Sequence, residues 1–262
     1  MIGNENMYAL VTGASSGIGY ELAKVLAKDG KKLVIVARNQ NKLEELKTDI
    51  GSKYGTSVIV LPKDLSLPEA PQEVYSELEK EDIYVDVLIN NAGFGVYGLF
   101  SETDLREELA MIQVNSVAVI HLTKLFLKQM LENKSGWILN VASLCSFLSS
   151  PMESVYCASK SLVLHFSEAL ANELEGTGVT VTCLCPGLAK TEFHRRAHME
   201  NSRVAKRKMM DASAVAEAGY NALKKGRLVV IPGLIYKTAP LFARFAPRNL
   251  VTKVVRSQHE PA

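Results

Sequence analysis

Seven short apolar, β-branched runs recur along the chain, at residues 8–12, 33–37, 57–61, 85–90, 136–141, 179–185 and 227–231. Each is separated from the next by a longer stretch with helical spacing. Strands joined through helices cannot pair as tight hairpins; they lie parallel, with the crossover helices packed over the sheet. Strands covered on both faces read as unbroken apolar runs, as LVIVA at 33–37 and VLIN at 87–90 do. The pattern predicts a Rossmann-like, doubly wound α/β fold: a seven-stranded parallel sheet with helices on both faces.

The helical stretches carry their own signals. Ile18, Leu22, Val25 and Leu26 predict a helix over 18–28, stopped by Gly30. Val155, Leu162, Val163, Phe166, Leu170 and Leu174 mark a longer helix over 154–175, closed by Gly176. With no internal repeat, low-complexity stretch or Pro/Gly-rich linker, residues 1–262 are expected to form a single dinucleotide-binding and catalytic domain. A chain of 262 residues buries a core of that kind without disulfides or metals.

Four cysteines, Cys145, Cys157, Cys183 and Cys185, make no CxxC pair and no zinc-spaced Cys/His set. Cys183 and Cys185 stand two apart and share one face of a strand, which reads as buried free thiols. His194 and His198, at i, i+4, have no third ligand nearby, so no metal site is expected. No apolar run approaches the ~18 residues of a membrane span. The polar opening, residues 1–6, lacks the basic-then-apolar layout of a secretory signal, so a cytoplasmic location is expected.

Between the first strand and the first helix lies Thr12-Gly13-Ala14-Ser15-Ser16-Gly17-Ile18-Gly19. Glycines let a backbone turn tightly against a pyrophosphate, and the helix start offers unpaired N–H groups and a positive dipole end. The same residues match a G-x-S-x-G nucleophile elbow, which makes a serine hydrolase using Ser15 an alternative. Against that alternative, only one strand precedes the turn, and no late histidine follows a clear strand. About twenty residues on, NAD sites place an acid against the ribose 2′-hydroxyl. Here the second strand ends in Arg38, a planar cation suited to a 2′-phosphate, so NADP(H) is the expected cofactor and NAD(H) the second choice. A solvated surface arginine is the ordinary reading of the same residue.

Tyr156 and Lys160 stand i, i+4 near the start of the long helix and share a face. An ammonium about 4 Å away at an effective dielectric near 20 favours phenolate by ~4 kcal/mol, about three pKa units. That brings a tyrosine of ordinary pKa ~10 into range for proton transfer to a carbonyl oxygen. Such pairs also occur on plain exposed helices, so the pair needs company. Ser143 ends the fifth strand, Asn90-Asn91-Ala92-Gly93 ends the fourth, and Pro186-Gly187 follows the sixth. Ligands of open parallel sheets bind beyond these carboxyl ends.

Together these residues resemble the short-chain dehydrogenase/reductase family in its compact, single-domain form, over nearly the whole length from Tyr8 to about Ile231. TGASSGIG, NNAG, Asn115, Ser143, Tyr156-x-x-x-Lys160 and Pro186-Gly187 occur in the family's order and approximate spacing. The resemblance implies that Tyr156 is the general acid/base and that Lys160 lowers its pKa and binds the nicotinamide ribose. It further implies that Ser143 hydrogen-bonds the substrate oxygen and that Asn115 holds a relay water. Gly13, Ser15, Ser16, Gly17, Ile18 and Gly19 would cradle the pyrophosphate, and Asp64-Leu65 would lie near adenine. Asn91, Ala92 and Gly93 would line the cofactor channel, and Pro186, Gly187 and Thr191 would face the carboxamide. Many NADP-preferring members carry a basic residue inside the glycine loop. This chain has Ser15 and Ser16 there, which leaves the preference on Arg38. The resemblance also implies a homodimer or homotetramer.

A substrate lid is expected over 188–210. Phe94, Val96, Tyr97, Phe147, Leu148, Met152, Leu188 and Phe193 offer an apolar lining suited to an acyl or lipid-like carbonyl/alcohol substrate, thioester-linked 3-oxoacyl groups included; packing on the core is the equal alternative. Residues 1–193 hold 16 Lys+Arg and 24 Asp+Glu, net −8; residues 194–262 hold 14 and 4, net +10. The excess concentrates in a basic amphipathic C-terminal extension, 232–262, broken by Pro232, Pro240 and Pro247. An anionic membrane surface, an acidic carrier or coenzyme A, and an oligomer contact compete as its partner; nucleic acid is not expected. The reading from another functional class is a catalytically idle NADP-binding regulatory or scaffold protein.

Overall fold

The computed structural model describes residues 6–200 and 202–260. Residues 1–5, part of the opening read above, lie outside them, as do Asn201 of the lid and residues 261–262 of the extension.

Each apolar run is a strand: β1 (Met7–Thr12), β2 (Lys32–Ala37), β3 (Val58–Pro62), β4 (Tyr84–Asn90), β5 (Gly136–Val141), β6 (Val179–Leu184) and, after a parallel two-residue pair β7 (Ala189–Lys190) and β8 (Met210–Asp211), the short β9 (Val229–Val230). The main sheet runs β3-β2-β1-β4-β5-β6-β9 with every neighbour parallel. Alternation along each strand supplies two cores. Ala9, Val11, Leu33, Ile35, Val87 and Ile89 point to one face, where α1 (Gly17–Lys28), α2 (Gln40–Tyr54) and α8 (Ala212–Lys224) pack. Leu10, Val34, Val36, Val85 and Leu88 point to the other, beneath α3 (Ala70–Lys80), α5 (Ala118–Glu132) and α6 (Ser154–Glu173). Chain order reverses between β1 and β4, and a crevice at the carboxyl ends of the strands opens at that switch point.

Local chemistry sets the boundaries. Asn39 caps α2 by accepting from the Lys42 N–H at 3.0 Å, and Gly55 ends it in the left-handed region at φ 65°. Asp104 caps α4 (Leu105–Ile112) by accepting from the N–H groups of Arg106 and Glu107. A wide π-type turn, Gln113–Val117, links α4 to α5 and carries Asn115.

Together they make one helical run, Leu105–Glu132, long and apolar enough by length and composition to cross a membrane. This corrects the expectation that no stretch approaches that length. Its most apolar 18-residue stretch holds at most two charged residues, which is why the average stays high although Arg106, Glu107, Glu108, Lys124 and Lys128 lie along the helix. Half of its apolar window is buried in the domain. Val114, Ala118, Leu122, Phe126 and Met130 pack on the sheet, so core burial accounts for its composition.

The segment 188–210, expected to be a lid, holds β7, the single turn α7 (Phe193–Arg196) and a 3-10 turn, Val204–Lys206. The extension holds a 3-10 turn, Leu234–Tyr236, then α9 (Ala239–Phe245) and α10 (Arg248–His259).

Candidate active site

The turn after β1 is stitched to the turn after β4. Thr12 Oγ1 donates to Ile89 O (3.2 Å) and accepts from the N–H groups of Asn91 and Ala92 (2.9 and 3.0 Å). Asn91 Nδ2 donates to Thr12 O at 2.9 Å. Gly13 and Gly17 adopt positive φ, 67° and 59°. A Cβ at Gly13 would stand 2.8 Å from Ala92 Cα, and one at Gly17 2.9 Å from Thr191 Cγ2. Gly19 is closed to a side chain by Asn91 and by Gly13 O. Ser16 sits extended at the head of α1 and makes no side-chain cap bond, so its neighbours' N–H groups are left for a ligand beside Ser15 and Ile18. A cradle that three Cβ atoms would fill, facing an uncapped helix start, fits a dinucleotide pyrophosphate.

At the β2 and β3 ends, Arg38 Nη1 lies 3.8 Å from Asp64 Oδ2 with its side chain 70% exposed. An exposed pair of that kind is worth ~0–1 kcal/mol, so the guanidinium remains available to a stronger anion. Asp64 Oδ1 accepts from the backbone and hydroxyl of Ser66, while Leu65 is buried in the core beneath.

The second half of the site gathers at β4, β5 and β6. Lys160 is buried and donates to Val141 O at 2.9 Å, the last carbonyl of β5. Two residues on, Ser143 heads the 3-10 turn Leu144–Phe147; its Oγ accepts from the Cys145 N–H at 3.2 Å, which leaves its proton to donate. Leu144 N donates to Pro186 O (2.8 Å), tying that turn to the β6 end. Asn115 clamps Phe94, Oδ1 accepting from its N–H (3.1 Å) and Nδ2 donating to its carbonyl (2.9 Å), and reaches Ser159 Oγ at 3.2 Å. A Cβ at Gly93 would fall 2.9 Å from Asn115 Oδ1 and 3.2 Å from Lys160 Nζ, so only glycine lets the channel pass there. Tyr156 is buried, and the Phe193 ring of the lid covers it at 5.2 Å between centroids. The Tyr236 ring packs on Gly187.

Burial dominates the titration of both groups. Removal from water pushes the Tyr156 phenol well above 10, with Cys145 adding to it and a hydrogen bond from Ser143 working the other way. The direction is opposite to the one expected from Lys160: burial dominates, and Cys145, Glu153 and Cys157 push the same way. Burial likewise pushes the Lys160 ammonium down to about 8.

Several contributors left no sequence signal. Asn90 Nδ2 donates to Asn140 Oδ1 (2.9 Å) and Thr123 Oγ1 (3.0 Å), and Asn140 Nδ2 donates to Ser167 Oγ (2.9 Å). This buried chain ties β4 and β5 to α5 and α6 directly beneath the site. Lys42 of α2 meets Glu192 at 3.4 Å, a carboxylate that Arg195 and Arg196 also hold, so an ion-pair cluster joins α2 to α7. The tail of α10 enters as well: His259 Nε2 lies 2.7 Å from Glu153 Oε2, both buried, one turn before Tyr156. No hydrogen bond links Ser15 to a histidine among the described residues, and no group of three metal-ligating side chains occurs among them.

Residues 7–202 match the family model described as short chain dehydrogenase. The chain therefore belongs to the short-chain dehydrogenase family of oxidoreductases. A very-long-chain 3-oxoacyl-CoA reductase of Pyrenophora tritici-repentis is 32% identical over 98% of this chain and 78% of its own length. One from Phaeosphaeria nodorum is 36% identical over 74% of this chain, a match spanning 58% of that relative. Among solved structures, a short-chain dehydrogenase from Sphingobium yanoikuyae in complex with NADPH aligns with TM-score 0.82 and 31% identity, covering 88% of this chain and 89% of that one.

Proposed function

We propose that this protein is an NADP(H)-dependent oxidoreductase that interconverts a carbonyl and a secondary alcohol on an acyl or lipid-like substrate, 3-oxoacyl thioesters first among them. The observation that carries the reading is the placement of Tyr156 beside Ser143, with Lys160 anchored to the end of β5, all on the rim that the glycine cradle shares. Residues Gly13 to Gly19, Arg38, Asp64, Asn91 to Gly93, Pro186, Gly187 and Thr191 would hold the dinucleotide, and a bound nicotinamide supplies or accepts the hydride.

The chain's own residues handle the proton. In reduction, the Tyr156 phenol gives its proton to the carbonyl oxygen as that oxygen gains charge, while Ser143 donates a hydrogen bond to the same atom. The upward push on Tyr156 keeps the phenol protonated at neutral pH, which suits the carbonyl-reducing direction. The Lys160 ammonium then faces the phenolate, and the Asn115–Ser159 cluster behind it lies on the path by which a proton returns. Exposed Leu105, Leu109, Val117 and Ile120 on α4, the wide turn and the start of α5 offer a face for a homodimer. Relatives named 3-oxoacyl-CoA reductase support the thioester class.

The test is NADPH oxidation, with NADH in parallel, against 3-oxoacyl thioesters, diketones, quinones, steroid ketones and aldehydes. Turnover is expected with NADPH and a 3-oxoacyl thioester, and Tyr156→Phe is expected to lower it by roughly 10²–10⁴-fold. Unchanged turnover in that variant overturns the mechanism. Tight NADPH binding with no turnover on any substrate leads instead to a regulatory protein.

A further inference from the structure

The C-terminal extension exposes large apolar side chains that a folded chain ordinarily covers. Leu234 is 82% exposed, Ile235 79% and Phe245 80%, and Leu241, Phe242 and Leu250 are exposed beside them. In α9, Leu241, Phe242 and Phe245 fall on one side of the helix by their spacing. Residues 224–256 also carry eight Lys+Arg and no acid. Lys237, Arg244, Arg248 and Lys253 pair with no carboxylate among the described residues. Apolar protrusions ringed by unpaired cations match one kind of surface: a bilayer with anionic headgroups over an acyl interior.

Position strengthens the match. Tyr236, between the two apolar clusters, packs on Gly187, and α9 packs on the turn that follows Ser143. The extension therefore flanks the catalytic rim. A second copy of the chain fits less well. In a two-fold dimer the same patch meets itself, and its four cations, Lys237, Arg244, Arg248 and Lys253, would face four like charges. An acidic protein would satisfy the charges but leaves six exposed apolar side chains to explain.

We propose that residues 234–254 form a peripheral docking face for anionic lipid bilayers, which seats the catalytic rim against the membrane surface. Docking does not depend on turnover, so its test and that of the oxidoreductase reading fail separately.

The experiment is vesicle flotation with the full chain, using phosphatidylcholine alone and phosphatidylcholine with about 30 mol% phosphatidylserine. Binding is expected only to the anionic vesicles, falling as salt rises. The triple variant Leu234→Ser, Ile235→Ser, Phe245→Ser and the triple variant Lys237→Glu, Arg244→Glu, Arg248→Glu should each weaken binding by roughly tenfold or more. Circular dichroism and turnover of a water-soluble ketone serve as controls for folding, since none of these residues belongs to the catalytic machinery. Binding that is absent, equal on neutral and anionic vesicles, or indifferent to the apolar variant overturns the proposal. So does concentration-dependent dimerisation in sedimentation that either variant abolishes while vesicle binding remains at background.

Discussion

Lys160 is a cation held where a cation is costly. Its fall from 10.5 to about 8 corresponds to about 3 kcal/mol against the charged form at neutral pH. The hydrogen bond to Val141 O returns a similar amount, since bonds to charged groups are worth ~1.5–3 kcal/mol. The two nearly cancel, so the lysine contributes little to folding and its value lies in the site. Lys160→Met is expected to abolish most turnover while changing unfolding free energy by less than about 1 kcal/mol, measured by urea titration. A loss of several kcal/mol would make Lys160 a structural residue. The spacing of Tyr156 and Lys160 made the pair legible, because a helix turns i, i+4 into one face without tertiary information. The direction of the phenol's shift was not legible, because desolvation depends on Phe193 and Cys145, whose approach only the folded loops decide.

Elements differ in how well they announce themselves. The inner strands were readable because burial on both faces leaves an apolar, β-branched signature that does not depend on what covers them, and the half-buried edges β3 and β9 share the β-branched residues. The role of α10 was not, because its closing contact joins residues far apart in sequence. Both ring nitrogens of His259 face acceptors, Nδ1 toward Val255 O at 2.9 Å and Nε2 toward the Glu153 carboxylate. Burial works against the imidazolium, and the Glu153 carboxylate overcomes it, so the value is raised above 6.5. A raised folded value stabilises fully below 6.5 and is lost as pH rises through the folded one. Hydrogen exchange should therefore show α10 best protected in mild acid and loosening on the alkaline side, with Glu153→Gln removing that dependence; a flat wild-type profile would count against the anchor. The Asn90–Asn140–Ser167 chain makes the opposite kind of prediction. Asn140→Leu removes the acceptor of one Asn90 N–H, whose other N–H keeps Thr123 Oγ1, and one donor to Ser167 Oγ, which keeps Val163 O, so destabilisation of about 1–3 kcal/mol is expected by urea titration.

Across the whole molecule, one site draws on loops after β1, β2, β4, β5 and β6, so a ligand there clamps elements that share little local sequence. At a hundredfold excess over its Kd a ligand adds about 2.7 kcal/mol, which for a chain of this size raises Tm by roughly 5–10 °C. NADPH is expected to give that rise in a thermal melt, and NADH a smaller one if Arg38 reads the 2′-phosphate; equal shifts would remove Arg38 as the selector. The charge division between residues 1–193 and 194–262 was visible in the sequence as a sum. What the sum could not show is that the basic part folds back beside the rim through His259 and Tyr236.

The Phe193 ring resting on Tyr156 has a kinetic meaning. As the chain stands, the ring lies against the phenol, and under the proposed reaction a substrate would reach the hydroxyl only once the ring moves. A long acyl chain would meet that ring with more contact than a small ketone, which is expected to turn over more slowly. Under the proposed function, selectivity for bulky substrates would then arise from which of them can displace the ring, with no need for a pocket shaped to any one of them.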